Sequence, residues 1–381
     1  MTEVLAPAWG GLVVFGEARY YGASVPKYDE TWLSTELILA DYASLLRSVM
    51  SEYEACPVIS FGGSYGGSLT TFFRASYPSL VWAALASSAP VGYYDKARWP
   101  EFNVTSNTFS DIVAKAYDCL PAIQKSIAAI EDAPVEDVVA AFGVCSVEAL
   151  GPDSPAELFQ YALESLPQLN YPYPVDGRPG WPVEAACGVL AASPGIASAA
   201  NVTAMVLGTS EPCTPALSEG PGGVPGDGPG PGSWGYQSCT QTLHQFDSST
   251  RIREYVFSLA TQDETCTNLY GLAPNTTALT DIYGGYALPN TLSRVFFSNG
   301  LLDPWSGGGF FPEFYPNATE KNAFCVMPNA AHHLDLRAPN PADPPDVARC
   351  RAEAKHTLEA WIADFFFHTT SELTIGSLGE G

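Results

Sequence analysis

Residues 56–67 read CPVISFGGSYGG, and this stretch decides the fold. Its first half is a short apolar run of the kind that forms a buried strand, and its second half is a glycine-rich turn. Gly62, Ser64 and Gly66 satisfy the pattern G-x-S-x-G. That pattern belongs to a tight strand-to-helix turn in which bulky flanking side chains would clash. The turn lifts the serine Oγ above the sheet and aims the following N–H, here that of Tyr65, at a developing oxyanion. The helix N-terminus beneath adds a favourable dipole. An ordinary glycine-rich βα loop is the competing reading. The preceding PVISF and the helical pattern over Ser68–Tyr77 favour the catalytic turn.

Upstream, GGLVVF (10–15) reads as a buried strand, and 34–53 as a helix with Leu37, Leu45, Leu46, Val49 and Tyr53 on one face. Downstream, WAALASSAP (82–90) is another strand. Strands alternating with helices imply a parallel sheet with right-handed crossovers. The pattern then changes. Residues 97–285 carry helical segments, six cysteines and proline clusters such as YPYPVDGRPGWP (171–182). Residues 219–234, EGPGGVPGDGPGPGSW, read as a flexible surface insertion. LSRVFFSNG (292–300) and NAFCVMPNA (322–330) return to strand character, and 344–367 forms a last helix faced by Val347, Leu358, Trp361, Ile362 and Phe365. The fold class is therefore α/β, an α/β-hydrolase fold. Its discontinuous domain spans 1–96 and 286–381, and a helical cap at 97–285 is inserted between the sixth and seventh strands.

A nucleophilic serine needs a base, and the base needs an orienting carboxylate. In this fold the chain order is Ser, acid, His. Asp303 follows the strand RVFFSNG, and His332 and His333 follow NAFCVM. Strand ends place both at the correct edge of the sheet, but spacing alone does not choose between the two histidines. His244, His356 and His368 read as surface or packing residues. Asp335 and Asp343 follow the histidine loop and read as solvated or capping groups.

The 381 residues carry 41 acidic against 17 basic side chains, a net charge of −24. That argues against nucleic acid or an anionic membrane as partner. None of the nine cysteines makes a CxxC pair, so no metal site and no cofactor is expected. Cys119, Cys145, Cys187, Cys213, Cys239 and Cys266 read instead as a disulfide framework. Cys325 and Cys350 bracket the histidine loop as a further pair, and Cys56 is left as a buried thiol. Sequons at Asn103, Asn201, Asn275 and Asn317 join the cysteines in pointing to the secretory route, lysosomal, vacuolar or extracellular. The opening MTEVLAPAWGG has no signal-peptide pattern, and no apolar run is long enough to span a membrane.

Several segments resemble the S28 family of serine peptidases: EARYYGASVP (17–26), GGSYGG (62–67), SSAPV (87–91), YPYP (171–174), WGYQSCT (234–240), FSNGLLDPWSGGG (297–309) and AHHLDLR (331–337). The resemblance implies a hydrolase domain with a helical cap, cleavage beside proline, and the triad Ser64, Asp303 and His332. Arg337 matches a family arginine close to the catalytic histidine, where a cation lowers the imidazole pKa, and activity in acid is the expectation. Trp305, Trp234 and Gln237 are candidate pocket walls, with ordinary packing the competing reading. Two departures stand out. Ala18 occupies a position where the family has His, and the strands and glycine-rich oxyanion loop expected ahead of GGLVVF are missing. A truncated gene model or a shortened, inactive paralogue would explain the second.

The leading expectation is a serine exopeptidase working through an acyl-enzyme. Its substrate would be a peptide with proline near one terminus, and a homodimer is an open possibility. The acidic cap favours release of an N-terminal dipeptide over that of a single C-terminal residue. An esterase or lipase, and a non-catalytic binding protein, are the alternatives.

Overall fold

The computed structural model describes residues 2–25, 30–53, 56–102, 119–148, 154–207, 213, 233–243, 248–249, 254–255 and 257–376. Strands β1 (Ile59–Gly63) and β2 (Ala83–Ser87) lie early in the chain. A two-residue antiparallel pair, β3 (Ser248–Ser249) with β4 (Glu254–Tyr255), lies apart from the main sheet. Strands β5 (Val295–Gly300) and β6 (Ala323–Met327) lie late. Among the described residues the main sheet has the order β1-β2-β5-β6 and is parallel throughout. Central β2 and β5 are buried along their whole length, as parallel strands covered on both faces must be.

Period-two alternation sends successive side chains to opposite faces. Ala84, Ala86, Val295 and Phe297 pack against Leu69, Phe72 and Phe73 of α3 (Tyr65–Ser76) and Ile38, Leu39 and Ala43 of α2 (Thr35–Met50). On the other face Leu85, Phe296, Cys325 and Met327 meet Leu5 of α1 (Thr2–Trp9) and Val347, Cys350, Ala354 and Leu358 of the last helix, Pro345–Gly376. Each large side chain so buried contributes about 1.5–3 kcal/mol.

Two local expectations fail. GGLVVF forms no strand: Leu12, Val13, Val14 and Phe15 are exposed, Phe15 at 83%. Its composition suits a sheet, but a strand is held by ladder partners. The chain leaves α1 through a turn, with Gly11 N–H donating to Ala6 O and Gly10 at φ 63°, and runs free of β1. Helix α2 does form, with Ser34 as its N-cap, and Leu46 packs against the core as expected, but the helix buries Ile38, Leu39 and Ala43 and exposes Leu45, with Tyr53 exposed beyond its end.

The segment between β2 and β5 is mainly helical. Helices α4 (Leu120–Glu131), α5 (Val135–Phe142), α6 (Pro155–Ser165), α7 (Pro182–Ala192) and α8 (Ile196–Leu207) enclose a core of their own, including Ile123, Phe142, Phe159, Leu163, Leu190 and Val202. Ser154 and Glu157 form a capping box that starts α6. Cys119–Cys187 and Cys145–Cys213 staple this unit, and Cys239–Cys266 joins α9 (Ser233–Thr240) to α10 (Leu259–Tyr270). Short helices α11 (Ala278–Tyr283) and α12 (Leu288–Thr291) lead back to β5, and the last helix is α13. Cys325–Cys350 ties β6 to α13. Cys56 is exposed rather than buried, because it precedes the edge strand and not the sheet interior. Of the Gly/Pro-rich stretch, 219–232 lies outside the described residues, while Ser233 and Trp234 open α9. Asn201, Asn275 and Asn317 are exposed, His356 is exposed, and Asn103, His244 and the His368 side chain lie outside the described residues.

Candidate active site

Ser64 stands between β1 and α3 at φ 58° and ψ −129°, a strained conformation for a residue with a side chain. Glycine flanks make the turn possible. A Cβ on Gly62 would overlap the carbonyl of Gly66, and one on Gly67 would lie 2.9 Å from Ser87 O. The Ser64 N–H donates to Ser87 O at 3.0 Å, which locks the turn to β2. Tyr65 opens α3, so its N–H belongs to the first-turn donors that have no acceptor within the helix.

Asp303 lies just past β5 and His332 just past β6, and neither has solvent exposure. His332 Nδ1 and Asp303 Oδ2 are 2.7 Å apart, while Asp303 Oδ1 accepts from Trp305 N–H at 2.9 Å. With Nδ1–H donating to the carboxylate, the lone pair sits on Nε2. Nε2 is buried without a hydrogen-bond partner, so the ring is oriented by its Nδ1 side alone. No Ser64–His332 hydrogen bond closes here; such contacts commonly tighten only with substrate. Ser64 is nonetheless adjacent to the histidine loop, since a Cβ on its neighbour Gly63 would lie 3.1 Å from the His333 ring.

This geometry separates the two histidines. His332 pairs with Asp303, whereas His333, at φ 39°, has its ring 4.4 Å from that of His332 and donates its backbone N–H to Ser88 Oγ at 2.8 Å. Burial, then the neighbouring His332, pushes His333 down to about 4; Asp303 opposes this and Arg337 adds to it.

The remaining candidates divide. The Trp305 ring is 6.4 Å from that of His332, and its indole N–H donates to Gln168 Oε1 at 2.9 Å. Trp234 packs edge-on against Tyr65 at 5.1 Å. Gln237 is no pocket wall: it is wholly buried, donates to the Tyr65 hydroxyl at 2.9 Å and accepts from Tyr21. Tyr65 Oη also pairs with Thr35 Oγ1 at 3.0 Å, and burial pushes its phenol up to about 12 against the pull of those hydrogen bonds. Arg337 stacks 4.6 Å over Tyr171, whose hydroxyl donates to His332 O at 3.2 Å.

Asp335 overturns its reading as a solvated or capping group. It is 1% exposed and accepts from Ser87 and Ser298, because the histidine loop folds down onto the strand ends rather than into solvent. Asp343 also departs from that reading: its side chain is 4% exposed, accepts from Asn340 N–H at 2.6 Å and pairs with Arg351 at 2.5 Å. Neither forms a hydrogen bond with His332. Ser87, Ser298 and Tyr171 escaped the sequence reading. Ser87 and Ser298 look like ordinary strand-end residues until the register pairs them.

A parallel sheet flanked by helices, with a serine on a strained strand-to-helix turn and an Asp–His pair at neighbouring strand ends, defines a serine hydrolase of the α/β-hydrolase fold. The family described as serine carboxypeptidase S28 matches residues 2–206 and 222–354. The chain belongs to that family and is a serine-type peptidase. It is 29% identical to the lysosomal Pro-X carboxypeptidase of Bos taurus, over 95% of this chain and 77% of that one. It is 30% identical to prolyl carboxy peptidase like protein 5 of Caenorhabditis elegans, over 94% and 78%. Against the thymus-specific serine protease of Mus musculus the identity is 29%, over 94% and 76%.

Proposed function

We propose that Ser64, His332 and Asp303 form the catalytic triad of a serine exopeptidase that cleaves beside proline. The observation that carries this reading is the buried 2.7 Å Asp303–His332 contact, which leaves the imidazole Nε2 without a partner. Ser64 Oγ attacks the scissile carbonyl as its proton passes to His332 Nε2, and the Tyr65 N–H stabilises the oxyanion. Collapse of the adduct breaks the C–N bond, and His332 returns the proton to the leaving amine. Water, deprotonated by His332, then adds to the Ser64 ester; the C–Oγ bond breaks, His332 returns the proton to Ser64 Oγ, and the acid product is freed. Asp303 keeps the imidazole in the productive tautomer and stabilises its charged form.

The relatives named as Pro-X carboxypeptidases support removal of a C-terminal residue that follows proline, and outweigh the N-terminal dipeptide release suggested by charge alone. A separate core within 119–206 supports a cap inside 97–285, while Tyr171 and Leu279 of that range pack into the cores of the hydrolase domain, 1–96 and 286–381. The disulfides, the exposed sequon asparagines and the relatives named lysosomal support passage through the secretory pathway to an acidic compartment. No helix among the described residues is long and apolar enough to cross a membrane. The net charge of −24 supports peptides, not nucleic acid, as ligands. The test is fluorophosphonate labelling of the chain beside Ser64→Ala, followed by peptides ending in Pro-Xaa and peptides beginning Xaa-Pro. Labelling lost in the variant and cleavage of the first peptide set are expected. An unlabelled, folded wild-type chain would refute the triad, and cleavage of only the second set would refute the direction.

A further inference from the structure

The histidine loop reaches the sheet through one buried carboxylate that the chemistry above leaves unused. Asp335 accepts from Ser87 Oγ at 2.5 Å on one oxygen and from Ser298 Oγ at 2.6 Å on the other. Both serines are fully buried, and they are register partners across β2 and β5. The same row continues to Gly63 on β1. Because Gly63 has no side chain, the loop can lie across the strand ends: a Cβ there would come within 2.9 Å of Leu336 and 3.1 Å of the His333 ring.

Each serine belongs to an element that carries another part of the site. Ser87 O receives the Ser64 N–H at 3.0 Å, so β2 holds the nucleophile turn. Ser298 lies on β5, whose end leads into Asp303. Asp335 itself is three residues past His332. One carboxylate thus joins the segments bearing nucleophile, acid and base. The loop backbone is secured as well, since Arg351 donates to Asp335 O at 3.0 Å and Leu334 O at 2.8 Å, and His333 N–H donates to Ser88 Oγ. Among these contacts the Asp335 carboxylate is the one that reaches both β2 and β5.

We propose that Asp335 is a positioning residue: through Ser87 and Ser298 it sets the distance between His332 Nε2 and Ser64 Oγ. The inference rests on the triad reading above. It does not place Asp335 against substrate. A carboxylate clamped by two hydroxyls is rigid because one donor serves each oxygen in an environment that water does not reach. Asparagine keeps the shape but turns one acceptor into a donor, so one of the two serine contacts must reverse or break.

The experiment compares Asp335→Asn, Ser298→Ala and wild type, with active sites counted by fluorophosphonate burst so that rates refer to assembled enzyme. A displacement of an ångström at a reacting pair costs ~10²-fold. Asp335→Asn is therefore expected to lower kcat per titrated site by about 30- to 100-fold with KM nearly unchanged, and Ser298→Ala by a smaller factor in the same sense. A residue that merely supports the fold would lower the titrated fraction and leave kcat per site intact. That result overturns the proposal, as does a change confined to KM. Should Asp335→Asn not fold, Ser298→Ala and Ser87→Ala decide by the same two quantities. A wild-type chain that does not label at Ser64 overturns the triad reading and this one with it; a labelled wild type with unaffected variants overturns the positioning role alone.

Discussion

His333 carries the clearest pH signature in the molecule. Buried beside His332, it is held down to about 4, against an ordinary value of 6.5. In the unfolded chain it protonates as the pH falls below the ordinary value, while in the folded chain it stays neutral. The unfolded state therefore binds more protons across this window, and stability falls on acidification from about 6.5 to about 4, then levels off. At about pH 4.5 the ratio of the two binding terms, 1 + 10² over 1 + 10^−0.5, gives a loss of about 2–3 kcal/mol relative to pH 7.5. His333→Asn removes the titrating group, tolerates the left-handed backbone, and retains the backbone N–H that meets Ser88. Urea unfolding of both proteins at the two pH values isolates the effect. Whatever the gap in stability at pH 7.5, it should move in favour of the variant by about 2–3 kcal/mol at about pH 4.5. A gap that is the same at both pH values would refute the reasoning, because it would mean that His333 protonates equally in the folded and unfolded chain.

Three further outcomes follow from particular contacts. Tyr65→Phe strands buried Gln237 and Thr35 and should cost about 1–3 kcal/mol in urea unfolding; a loss well below this range would mean those groups find other partners. Cys350→Ser opens a loop closed across 25 residues and should lower stability by about 3–4 kcal/mol without reductant, and by nothing once both proteins are reduced. Gly62→Ala forces a Cβ into the Gly66 carbonyl, so no fluorophosphonate-labelled protein should be recovered; normal labelling would show that the turn is not built as described.

The parts of the site that could be read from sequence are those whose meaning is local. GGSYGG specifies its own backbone, and Asp303 and His332 each follow an apolar run whose end is marked by turn residues. Chemistry at a strand end therefore shows up as an ordered pattern along the chain. What failed to show depends on partners far away in sequence. GGLVVF has strand composition, but composition cannot say whether a ladder neighbour is present, and the segment lies exposed. In α2 apolar residues occur on more than one side, so spacing alone drew the face through Leu45, while the contact with α3 and the sheet selects Ile38, Leu39 and Ala43.

Asp335 shows the same limit most sharply. A carboxylate in a loop after two histidines reads as solvated, because burying a charge without partners costs several kcal/mol. Its partners lie 248 and 37 positions away, and nothing in either serine's local sequence announces them. Only the parallel register of β2 and β5 sets those hydroxyls side by side, at the spacing one carboxylate can span. If the proposed triad holds, local chemistry points to the groups that react, whereas sheet register supplies the two hydroxyls that fix Asp335. For that reason a change at Asp335 should appear in the rate per assembled site, and not in the affinity for substrate.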